Sequence, residues 1–114
     1  MAKRDEIVFF EDIIDCINKI IEYTENTTEI EFRENTEKQD AVIRRIEIIG
    51  EAVKSISRDT RNKSPRIPWR EIAGMRDIVV HEYFGVSIDM IWRVAVNEIP
   101  ELKKDIEQII SGLK

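Results

Sequence analysis

Cysteine and histidine each occur once in these 114 residues, glycine four times and proline three times, and aromatic residues make up 7%. A single cysteine excludes an internal disulfide, and with one histidine no intrachain cluster of metal ligands is expected. The scarcity of glycine and proline argues against a loop-rich, fibrous or disordered chain. No apolar run approaches the length needed to span a bilayer, and the opening MAKRDE lacks the apolar core of a signal peptide, so no membrane segment is expected and a cytoplasmic location is the default. The length fits one domain over residues 1–114, large enough for a real core. Cys16 falls in IIDCINKII among apolar residues at helical spacing and reads as a small buried hydrophobe.

Isoleucine dominates the aliphatic residues, and its spacing is helical. In about 5–25, Ile7, Phe10, Ile13, Ile14, Ile17, Ile20 and Ile21 recur every three or four residues. Asn26-Thr27-Thr28 breaks that pattern, and Thr28 with Glu31 fits a capping box opening a short turn that ends near Glu34. A second long helix is predicted over about 36–57, with Val42, Ile43, Ile46, Ile49, Ala52, Val53 and Ile56 as its stripe. Residues 58–67 read as a polar, basic connection. Pro68 fits the first position of a third helix, which carries Trp69, Ile72, Ala73, Met75, Ile78 and Val79 and stops near Gly85. Ser87 can cap a fourth helix, and Pro100 opens or kinks into a last one ending at Gly112. No strand alternation or hairpin signal is present. The reading is all-α: an up-and-down bundle of four main helices plus short helical turns.

The charged fraction is high at 36% and the net charge is −5, which argues against a general nucleic-acid binder. Its distribution is uneven. From Lys54 to Arg76 there are seven basic residues against two acidic ones, Asp59 and Glu71. Arg58, Arg61, Lys63, Arg66 and Arg70 could guide a phosphate backbone; the plainer alternative is a solvated loop with cations at helix C-termini. Trp69 in this run reads as a core residue rather than a base-stacking platform.

The basic run leads into RDIVVHEYFG, where Arg76, His81 and Tyr83 interrupt an apolar stretch. Arg76 and Tyr83 nearly eclipse on a helix, whereas His81 lies about 140° from Arg76, so a straight helix would not aim both at one small target. Either the helix distorts or ends here, or the site is assembled between two chains. Metal-free RNA cleavage gains from two proton-transfer groups, and a symmetric dimer would bring two copies of the only histidine together. The structural alternative is a histidine capping carbonyls, an arginine pairing with a glutamate and a tyrosine packing with its hydroxyl at the surface.

R-x4-H-x-Y, here Arg76, His81 and Tyr83, resembles the signature motif of HepT-like toxins of the HEPN superfamily. Similarity extends over KRDEIVFFEDIIDCINKIIEYT, QDAVIRRIEIIGEAVKSI, IPWREIAGMRDIVVHEYFGVSIDMIW and ELKKDIEQII, nearly the whole chain. The resemblance implies a HEPN-like bundle that dimerises around a shared cleft. It also implies metal-independent endoribonuclease activity without a cofactor, and a minimal nucleotidyltransferase antitoxin as partner. It assigns catalysis to Arg76 and His81 and makes Tyr83 the acceptor of AMP from that partner. Asp77 matches a position that is often polar in the family and could orient either catalytic residue. The runner-up is a catalytically silent domain that binds nucleotide or its transferase partner; a third reading is a helical dimerisation module.

Overall fold

The computed structural model describes the backbone of residues 2–81 and 87–113, with side chains for 6–75 and 87–113. Among the described residues every regular element is helical: α1 (Ala2–Thr24), α2 (Glu29–Glu34), α3 (Thr36–Lys54), α4 (Arg58–Asn62), α5 (Trp69–His81), α6 (Ile88–Arg93) and α7 (Ile99–Leu113), with a π-helical turn (Val94–Glu98) joining the last two. None of these helices is long and apolar enough to cross a membrane.

The apolar stripes become the core. Phe10, Ile13, Ile17 and Ile20 of α1 face Val42, Ile46, Ile49 and Val53 of α3, all essentially inaccessible to water. Helix α1 packs against α3 and α7, and α3 also packs against α5. Burying each such side chain is worth about 1.5–3 kcal/mol relative to exposure, which is what holds the helices together. The stripe of α1 also carries a charge in register with it: Glu6, four residues before Phe10, is 4% exposed. At the other end Thr24 is buried too, its Oγ1–H bonded to the Ile20 carbonyl at 2.9 Å. Asn26 then turns the chain with φ 62°, a left-handed conformation that asparagine tolerates better than most residues.

The capping box forms as expected. Thr28 Oγ1 accepts from the Glu31 N–H at 3.1 Å, and the Glu31 carboxylate accepts from the Thr28 N–H at 2.9 Å. One expectation needs correction. Residues 58–62 are not a plain connection but the helix α4, opened by Ser57, whose Oγ accepts from the Thr60 N–H. The last helix does open at Pro100, the second residue of α7. Helix α7 follows directly on the π turn, which follows directly on α6. Proline lacks an N–H and its ring crowds the carbonyl four residues back, so the preceding turn widens. There the Ile99 N–H bonds to the Val94 carbonyl, one residue further back than in an α-helix. Helix α5 begins at Trp69, one residue later than predicted; its expected continuation to Gly85 falls outside the described residues.

Candidate nucleic-acid interface

Helix α5 carries Arg76 and His81 toward its C-terminal end. Arg76, Asp77 and His81 lie on its described backbone, with their side chains outside the described residues, and Tyr83 lies outside them altogether. At 1.5 Å rise per residue, Arg70 in the first turn stands about 9 Å along the axis from Arg76 and about 16 Å from His81. One helix thus joins the basic run to the motif.

Four of the five predicted backbone-binding cations meet at the N-terminal end of this helix. Arg58 and Arg61 of α4, Arg66 of the following turn and Arg70 of α5 line one open depression of about 650 Å³, with Glu71 at its edge. Lys63 does not join them. It lines the neighbouring depression and pairs with Asp59 at 3.7 Å, both side chains at least half exposed. Arg66 lines both depressions, and its Nη2 meets Asp105 Oδ1 at 2.6 Å. That pair is largely exposed on the arginine side, so its worth is within about 1 kcal/mol and a phosphate could displace it.

Helix dipoles account for only part of this charge. Arg61 lies in the last turn of α4 and Lys54 in the last turn of α3, where cations are favoured. Arg58 is the first residue of α4 and Arg70 the second of α5, at the positive ends. There a cation is disfavoured by roughly 0.3–1 kcal/mol. Arg58 and Arg70 are therefore not helix C-terminal charges; both are exposed and line the same depression.

Trp69 is held inward. Its indole N–H is shared between the Arg61 carbonyl at 3.1 Å and the Ser64 carbonyl at 3.0 Å, and its ring tilts against Phe10 with centroids 6.4 Å apart. It is a core residue that ties the end of α4 to the start of α5, not a platform for a base. Cys16 is buried as expected. Burial pushes its thiol up, an effect reduced by the Arg45 guanidinium, whose Nη1 donates to Sγ at 3.8 Å. Among the described residues no group of three or more acidic, histidine or cysteine side chains could hold a metal ion.

One buried charge beside α4 went unnoticed in the sequence. The Glu6 carboxyl accepts from the Ser57 N–H at 2.8 Å, from Ser57 Oγ at 3.1 Å and from Thr60 Oγ1 at 2.9 Å, so it closes the N-terminal end of α4. The available signal was its register: an acidic side chain on the buried stripe of an amphipathic helix requires a hydrogen-bonding partner.

Residues 13–109 match the family described as HepT-like, ribonuclease HepT-like. Two proteins of Methanocaldococcus jannaschii, each named as a candidate RNase, are 46% and 47% identical over all 114 residues, covering 94% and 98% of the relatives. A "Probable ribonuclease HepT" of Thermococcus cleftensis is 42% identical over 107 residues, 94% of this chain and 97% of its own. No solved structure gives a significant match.

Proposed function

The chain belongs to the HepT-like ribonuclease family, and on that premise we propose that it is a metal-independent endoribonuclease toxin, silenced by AMP transfer to Tyr83 from a minimal nucleotidyltransferase antitoxin. The observation that carries the reading is the meeting of Arg58, Arg61, Arg66 and Arg70 in one depression at the start of the helix that ends in the motif. Arg70 opposes the dipole of its helix, and four exposed or half-exposed cations share one depression, which favours an anionic ligand as the reason for them.

In this reading the RNA backbone follows the cations along α5 to the motif. The 2′-hydroxyl attacks the adjacent phosphorus, giving its proton to a base. The bond to the 5′-oxygen breaks, and that oxygen takes a proton from an acid. The products are a 2′,3′-cyclic phosphate and a free 5′-hydroxyl, and DNA is spared for want of the nucleophile. His81 serves as base or acid, worth about 10²–10⁴ in rate, and a homodimer supplies the second copy. Arg76 holds the phosphate and stabilises the charge growing on its oxygens, and Asp77 supports its orientation. AMP on Tyr83 would block the groove and offer Arg76 a phosphate of its own.

The test is cleavage of total RNA in excess chelator. The parent should yield fragments, while His81→Ala and Arg76→Ala should lose at least about a hundredfold in rate with an unchanged circular dichroism spectrum. Intact RNA with the parent protein would leave the silent regulatory domain as the better reading. Light scattering should report about twice the 13.4 kDa chain mass. Incubation with the transferase, ATP and Mg²⁺ should add AMP to the parent and none to Tyr83→Phe.

A further inference from the structure

Glu6 is the one charged side chain among the described residues that is buried, and a buried carboxyl is unfavourable unless its oxygens are satisfied. Its partners are not spread through the core. All three donors belong to Ser57 and Thr60, 51 and 54 residues away in sequence, at the first turn of α4. That helix is five residues long, RDTRN, far too short to persist unaided and without an aliphatic or aromatic side chain to anchor it. It is held by polar contacts at both ends: Glu6 with Ser57 and Thr60 at the start, and the Trp69 indole on the Arg61 carbonyl at the finish. Two of its five residues are Arg58 and Arg61, half of the cations in the depression.

We infer that Glu6 is a positioning residue for RNA binding: by closing the N-terminal end of α4 it holds Arg58 and Arg61 in line with Arg66 and Arg70, so that one RNA backbone meets all four. The inference rests on the RNA-cleaving reading above. Glu6 itself faces the interior and touches no substrate. Its removal therefore acts on binding, raising KM for RNA while kcat at saturating RNA holds.

The experiment is salt-dependent binding of a single-stranded 2′-O-methyl RNA, which cannot be cut, followed by fluorescence anisotropy. The proteins compared are the parent, Glu6→Gln, Glu6→Ala, the pair Arg58→Ala with Arg61→Ala, and that pair combined with Glu6→Ala. Loss of two phosphate contacts flattens the slope of log affinity against log salt by about 1.4 for a single strand. Glu6→Ala should approach the flattened slope of the arginine pair and bind roughly three- to tenfold more weakly at low salt. Removing the arginines from Glu6→Ala should then change little, because the two changes act through one element. Glu6→Gln, which keeps one accepting oxygen, should fall between parent and Glu6→Ala. A folded Glu6→Ala with the parental slope and affinity overturns the inference while the RNA reading stands. A parent whose binding ignores salt, or an arginine pair that changes nothing, overturns both. Should Glu6→Ala fail to fold, Glu6→Gln and Thr60→Val decide the matter, and parental slopes in both count against it.

Discussion

Helices α2 and α4 are the two shortest capped turns ahead of the motif helix, six and five residues long, and each opens on a hydroxyl side chain. Their attachments differ in kind. Helix α2 closes its own N-terminus with Thr28 and Glu31 and sinks one large side chain, Phe32, completely into the core, where its ring meets Trp92 with centroids 5.2 Å apart. Helix α4 has no such anchor, and its cap is completed by a carboxyl from the far end of the chain. An element held by apolar burial tolerates changes on its outer face. One held by a few directional polar bonds has its position set by them, which suits the role proposed for α4 in aiming Arg58 and Arg61.

The largest expected effect tests the apolar anchor. Phe32→Ala should cost about 3–5 kcal/mol, the range for emptying a fully buried aromatic site. That is a large share of the stability of a small domain, and it should lower the urea midpoint with an unchanged slope. RNA affinity per folded molecule should stay at the parental level, since α2 carries none of the cations in the depression. A selective loss of RNA binding with little loss of stability would break the distinction between the two helices.

Next in size is the contrast of caps. Thr28→Ala should cost about 1 kcal/mol, the usual value for a lost N-cap. Ser57→Ala should cost about 2 kcal/mol, because it removes the cap and also takes a donor from the buried Glu6 carboxyl. Only Ser57→Ala should weaken RNA binding. Equal losses in chemical denaturation, or equal RNA affinities, would show that the distant carboxyl adds nothing to α4.

The same contrast explains what could be read from the sequence. The stripes of α1 and α3, the Thr28 box and the Ser87 cap are signals confined to a few neighbouring residues, and each gave its element to within a few positions. Trp69 was readable as core from its register with Ile72. Helix α4 was not legible because contacts that hold it come from Glu6 and Trp69, outside the segment, and nothing within RDTRN announces a helix. The π turn was hidden for a related reason. Pro100 signals that the α pattern must give way, but the widened turn lies upstream, at Val94–Glu98. For the site, the order Arg76, His81, Tyr83 is linear and so visible in the chain. The meeting of Arg58, Arg61, Arg66 and Arg70 depends on how α4 folds against α5, and charge counting gave the cations without their shared depression.

The smallest expected effect concerns the local box alone. The Thr28 N–H bonded to Glu31, with the Thr28 hydroxyl as a lesser contributor, holds the Glu31 carboxyl below its ordinary value of 4.5. A carboxyl lowered in the folded state binds its proton more weakly there than in the unfolded chain. Its stabilising contribution is therefore fully present above pH 4.5 and is lost as the pH falls through the lowered value. Glutamine can also complete a capping box but carries no charge to titrate. Glu31→Gln should accordingly lie slightly below the parent in thermal midpoint at pH 7, and the gap should close as the pH is taken down to 3. Solvent screens this fully exposed group, so the gap should be the smallest of the differences predicted for these two helices. A gap that stays constant across that range would mean that the charge of Glu31 contributes nothing to the box and that α2 is held by its buried Phe32 and the uncharged part of the cap.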